Sequence, residues 1–139
     1  MTSLAKFILF FALIAAATVR AEWVEYSDTA NKSNIVTFST TSLKRFDDVH
    51  YMVTVFTNYS GIQNIELNKR KIQFQSKSQT QMFGCEAQDF ALGDYELYQD
   101  RDAMGSKTQV NQNELLWKSI TPASLQMDLL KKFCQTVKG

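Results

Sequence analysis

Histidine occurs once in this 139-residue chain, proline once, cysteine twice and glycine five times. Each shortage excludes something. Zinc needs about four ligands from cysteine, histidine or carboxylate, and His50 is the one imidazole on offer. Nucleophilic catalysis needs a nucleophile with a base in reach. His50 lies inside a strand-like run, which gives it a structural or exposed role instead. Five scattered glycines build no phosphate-cradling loop, and neither a GxSxG nor a GxGxxG pattern occurs. So few glycines and prolines leave no flexible linker, no internal repeat is visible, and the length suits one domain. Neither sign of charge dominates: 15 basic residues face 14 acidic ones. That balance gives no reason to expect nucleic acid or anionic lipid as a partner. No apolar run is long enough to span a bilayer, which takes about 20 residues.

The longest apolar run, Phe7 to Val19, follows Lys6 and is closed by Arg20. A short positive start, a 13-residue apolar stretch and the ending Val19-Arg20-Ala21 form the pattern of an export signal. Residues 1–21 are therefore expected to be a signal peptide cleaved before Glu22, and residues 22–139 the folded domain. No membrane span is expected after cleavage. Glu22 stands where a lipoprotein would carry cysteine, so no lipid anchor is expected. In an exported chain two cysteines imply one disulfide. Closing the Cys85–Cys134 loop, about 50 residues, stabilises the fold by about 4 kcal/mol in the chain-entropy model. That is comparable with the net stability of a small domain.

The rest reads as strands followed by one helix. Trp23–Tyr26 and Ile35–Leu43 have strand character, with a turn between them. Val49–Tyr59 carries apolar residues on both faces, as a central strand does. Ser60-Gly61 suggests a turn. Lys71–Leu92 alternates as one long strand or two with a bend, and Gly84 marks a bulge or a close backbone approach. Gly93-Asp94 has the composition of a hairpin turn, and Tyr95–Asp100 that of a strand. Arg101–Glu114 reads as a long, mobile polar loop, and Trp117–Ile120 as a short extended piece. Thr121-Pro122 would open a helix, threonine capping and proline at the first position. Leu125, Leu129, Leu130, Phe133 and Val137 form one stripe, with Cys134 at its edge. The fold class is α+β: an antiparallel sheet of about six strands with one C-terminal helix tethered by the disulfide.

Two clusters could carry function. Arg70 and Lys71, beside Lys69 and with Lys77 beyond, are a candidate patch for an acidic protein surface or an acidic glycan. Alternation in an unbroken strand puts Lys71 and Lys77 on one face and Arg70 on the other. Glu86, Asp89, Asp94, Glu96, Asp100 and Asp102 fall close together in sequence. Two of them converging would suit a small periplasmic enzyme such as a glycan hydrolase; otherwise they are the charged face of edge strands. Asp100–Gly105 loses the oxygen-ligand spacing of a calcium loop after Asp102. Asn31 and Asn58 each begin an Asn-x-Ser triplet.

Ser76-Lys77-Ser78, Phe83-x-Cys85, Tyr95 to Tyr98, Gly105, Trp117, Ile120, Pro122, Ser124 and Cys134 together resemble the surface-adhesin protein E-like domain of Gram-negative bacteria. The likeness covers about 60 residues of the C-terminal half. It implies a sheet of about six strands with a C-terminal helix held by the disulfide, and an exported, non-enzymatic binding domain without cofactor or metal. The family's best-known member is an adhesin for host matrix and serum proteins. In that adhesin a basic segment before the first cysteine helps binding, and Arg70, Lys71 and Lys77 lie in the comparable place. The missing lipid-attachment cysteine favours a periplasmic or secreted domain over surface display. A homodimer stays open.

Overall fold

The computed structural model describes residues 23–27 and 34–138. The expected signal peptide and Asn31 lie outside the described residues. One antiparallel sheet holds β1 (Trp23–Ser27), β2 (Ile35–Ser39), β4 (Tyr51–Leu67), β5 (Arg70–Gly84), β6 (Asp89–Tyr98) and β7 (Lys107–Val110), neighbours in that order. Two two-residue strands complete it: β3 (Lys44–Arg45) on β4 and β8 (Lys118–Ser119) on β6. About six strands were expected; the described residues form eight. α1 (Leu125–Lys138) packs on one face.

The core lies between that face and α1. Val36 and Phe38 of β2, Val53 and Val55 of β4 and Phe83 of β5 meet Leu129, Leu130 and Phe133 of α1. Phe38, Phe83 and Phe133 are fully buried. Phe133 sits 5.3 Å from Phe83 and 5.8 Å, edge-on, from Tyr51, centroid to centroid. Cys134, next along the helix, bonds Cys85 just past the end of β5, closing a separation of 49 residues. The expected disulfide and helix stripe are both present.

The helix begins later than expected. Ser124, not Thr121, caps it: the Met127 N–H donates to the Ser124 hydroxyl at 3.2 Å. That hydroxyl itself donates to the Thr121 carbonyl at 2.6 Å. Serine at this position satisfies one of the otherwise open amides of the first turn.

Both glycine-marked turns prove to be bulges inside strands. At Ser60-Gly61 the β4–β5 register shifts between Asn58 and Gln63, yet both strands continue. At Gly93-Asp94 two residues of β6 oppose the single Thr80 of β5. A side chain at Gly93 would stand 3.2 Å from the Thr80 carbonyl oxygen. The true reversals are at Asn68-Lys69, both with positive φ (51° and 65°), and at Cys85–Gln88, with Gln88 at φ 52°. Two central residues in the left-handed region make the former the tight turn whose twist matches a hairpin.

The Arg101–Glu114 segment, expected as a mobile loop, contains β7 and is held down before it. Asp102 accepts from the Asn58 side-chain amide at 2.7 Å, and its own N–H donates to Asn58 Oδ1 at 2.8 Å. Ser76 donates to the Asp100 carbonyl at 2.6 Å. Asn58 and Ser76 are cross-strand partners, buried on the sheet face away from α1. The loop thus reaches back over β5 to β4. Asn58 is occupied by this contact, which leaves it unsuited to carry a glycan.

Candidate functional site

Beyond Asn58 on β4 and before Ser76 on β5, neither strand has an outer neighbour in the sheet among the described residues. The two continue as a two-stranded arm, paired from Gln63–Phe74 to Leu67–Arg70. Apolar residues persist along it: Ile62 is exposed, and Ile65, Leu67 and Ile72 are half-buried. Tyr59 stacks edge-on against the buried Phe74 at 5.6 Å and fixes the arm's root. At its tip stand Lys69, Arg70 and Lys71, all exposed. Glu66 pairs across the ladder with Lys71 and is the one acidic residue between Ile62 and Lys77. The tip is thus a compact cationic end on a partly apolar ribbon.

Lys77 does not join that tip. Six residues along β5 separate it from Lys71, roughly 20 Å at strand rise. It shares the α1-facing side of β5 with Gln79, Gln81 and Phe83 and leans over the Tyr95 ring, 5.9 Å from its centroid. Burial lowers the pKa of its ammonium. The sequence placed Arg70, Lys71 and Lys77 in one patch; the structure joins the first two and sets the third beside a cavity near the helix.

Four of the six carboxylates, Asp89, Asp94, Glu96 and Asp102, are tied into bonds within the fold. Asp94 accepts the Gln112 N–H at 2.7 Å. Glu96 accepts the Tyr98 hydroxyl and lies 3.6 Å from the Lys107 ammonium. The hydrogen bond to Glu96 pushes the Tyr98 pKa up to about 12. Asp102 holds Asn58, Asp89 holds His50, and Glu86 lies exposed in the β5–β6 turn. Asp89 and Asp100 flank β6 at opposite ends, roughly 35 Å apart along the strand, whereas glycoside hydrolysis needs carboxyl groups about 5–10 Å apart. Among the described residues no group of three or more metal-ligating side chains converges.

The sequence missed the arrangement around its one histidine. His50 Nδ1 lies 2.8 Å from Asp47 Oδ2, and Nε2 lies 3.1 Å from Asp89 Oδ2. The Asp47 carboxylate also accepts the backbone N–H groups of Val49 and His50. Trp117 stacks on the imidazole at 4.0 Å, with Phe46 beyond it. Burial opposes the charge on His50, but the two carboxylates outweigh it and raise its pKa. The bond from His50 and the backbone N–H of Val49 lower the pKa of Asp47. The imidazole bridges the two carboxylates, so the cluster is a clamp joining the β3–β4 connection to β6. The spacing of Asp47 and His50 was visible in the sequence; the partner 39 residues away was not.

A family model described as surface-adhesin protein E matches residues 23–135. The chain belongs to the surface-adhesin protein E family. Solved structures of Haemophilus influenzae protein E share the fold. Crystal form II aligns with a TM-score of 0.63 at 12% identity, covering 88% of this chain and 94% of that one. A second crystal structure aligns at 0.59 and 12% identity, covering 85% and 87%. Protein E from non-typeable Haemophilus influenzae aligns at 0.59 and 12%, covering 86% and 79%. At that identity the likeness speaks for the fold alone. The sequence matches no curated protein. The resemblance read from the C-terminal half thus extends over nearly the whole adhesin E domain. No described helix is long and apolar enough to cross a membrane.

Proposed function

We propose that this adhesin E-family domain is an exported, non-enzymatic binding module that recognises acidic protein or glycan surfaces through the tip of its β4–β5 arm. The observation that carries the reading is the cationic end Lys69-Arg70-Lys71, exposed on a ribbon with no other strand beside it among the described residues. Charges in such a place act on association rate and salt dependence. The apolar side chains along the arm supply contact area once the tip is engaged. Family membership supports binding in place of catalysis, as does the use of the Asp94 and Asp102 carboxylates in structural bonds. Export to the periplasm or medium is part of the proposal and rests on the leader-like residues 1–21.

Arg70→Glu with Lys71→Glu tests it. Surface changes of this kind shift stability by under about 0.5 kcal/mol, so the fold should persist. Wild type should bind immobilised heparin or an acidic matrix protein at about 50 mM salt and release it near 300 mM, where screening shortens to a few ångströms. The double variant should lose the low-salt binding. Equal binding by both proteins, or by neither, refutes the assignment to the tip.

A further inference from the structure

At its first turn α1 does not cover the sheet completely. A cavity of about 140 Å³ remains between the helix start and β4–β6. Its walls are apolar on the helix and β4 sides, with Leu125, Leu129 and Val55. Its floor is polar: Lys77, Gln79 and Gln81, the successive α1-facing residues of β5.

Two features of that floor are not accounted for by the fold. Gln81 is 8% exposed, and its side-chain oxygen is buried without a hydrogen-bond partner among the described residues. Buried polar atoms are rarely left so, because an unmade bond costs about 1–3 kcal/mol. Its neighbour Gln79 does have a partner, donating to the Gly93 carbonyl at 3.4 Å. Lys77 is the second feature. Among the described residues it forms no ion pair, and its ammonium lies over the face of Tyr95. Tyr95 is the cross-strand neighbour of Gln79. The ammonium therefore lies two rungs from Gln81, roughly 7 Å along the strand.

An acceptor in need of a donor, a cation in need of an anion, and aliphatic walls between them describe one kind of molecule. We propose that this cavity binds a small aliphatic carboxylate with an O–H or N–H donor next to the carboxyl group. The carboxylate would meet Lys77, the donor Gln81, and the alkyl part Val55 and Leu129. The volume suits roughly five to ten non-hydrogen atoms, well below a drug-sized pocket. A free 2-hydroxy acid and the C-terminal residue of a peptide both have this chemistry. The site is separate from the arm tip and does not depend on its role.

Ligand-observed NMR on the intact protein, with backbone shifts followed at Lys77 and Gln81, tests the assignment. Lactate represents the free hydroxy acid, N-acetylalanine the peptide terminus, and propionate lacks the donor. Lactate or N-acetylalanine should bind at least tenfold more tightly than propionate; whichever binds better identifies the source. Lys77→Met should weaken that binding tenfold or more. Gln81→Leu should also weaken it tenfold while leaving the melting temperature unchanged or higher, since it removes an unpaired buried oxygen. A merely structural glutamine would give the opposite thermal result. The proposal is overturned if neither probe perturbs Lys77 and Gln81 up to about 10 mM, about tenfold above a millimolar Kd. It is equally overturned if propionate binds as well, or if both variants bind as wild type does.

Discussion

Replacing Gly84 with alanine should open the histidine clamp. A Cβ there would stand 2.3 Å from Asp89 Oδ1 and 2.9 Å from His50 Cδ2. Carbon and oxygen approach no closer than about 3.3 Å, so the Asp89 carboxylate must retreat by about 1 Å. A bond of 3.1 Å stretched that far is no longer a hydrogen bond. Charged hydrogen bonds contribute about 1.5–3 kcal/mol when well shielded. The Asp89 side chain is 23% exposed, so about 1–2 kcal/mol is the expected loss. For a domain of this size that lowers Tm by about 4–8 °C. The loss should depend on pH in a set direction. His50 has a raised pKa, so its contribution is complete below the ordinary histidine value and disappears as pH rises through the raised one. Asp47 has a lowered pKa, so its share is complete above the ordinary carboxylate range and disappears as pH falls through the lowered value. Wild type and variant should therefore differ most between the two ranges and converge in alkali. With one histidine in the chain, a single imidazole resonance reports the titration. In Gly84→Ala it should titrate closer to pH 6.5. A variant that melts like wild type near pH 5.5, with an unmoved imidazole titration, would refute the steric argument and the clamp together.

Replacing both Cys85 and Cys134 with serine should lower stability by about 4 kcal/mol, the entropy of a loop of 49 residues; urea unfolding of the two proteins measures it. Asn58→Ala should free the 99–106 segment, cost about 1–3 kcal/mol and create a new protease-sensitive site there. Limited digestion followed by mass measurement locates the cut. Ser124→Ala removes the helix cap and should cost about 1 kcal/mol, read as a small shift in the denaturation midpoint without a change in slope.

What was legible in the sequence was whatever periodicity and composition carry. The stripe from Leu125 to Val137 fixed the face of α1, and two cysteines in an export context fixed the staple. The alternation of Lys71–Leu92 showed strand character but not where it reverses, because glycine was read as a turn. Gly93 instead makes room for the Thr80 carbonyl inside a bulge, and the real reversal at Cys85–Gln88 contains no glycine. Likewise Asn68-Lys69 turns the chain with two non-glycine residues in the left-handed region. At the helix start, Thr121 and Ser124 are both capping residue types, and the left-handed Ala123 (φ 59°) keeps the helix from running on from Thr121, leaving Ser124 as the cap. The cavity and the clamp were out of reach because each joins residues far apart in the chain. Lys77 looked like part of a basic run; only the register shows it facing the helix.

The tight turn at Asn68-Lys69 has a kinetic consequence. Leu67 and Arg70, the first rung, are three residues apart; Tyr51 and Phe83, the last, are thirty-two apart. Each rung from the tip downward closes only a small additional loop, so the ribbon can zip from its tip on the microsecond scale of hairpins. α1 and the Cys85–Cys134 bond span far greater separations and must wait for that framework. The same residues proposed to meet a partner at the end of the arm are then the ones from which the sheet starts to form. Charge reversals at the tip should be read by stopped-flow refolding as well as by binding.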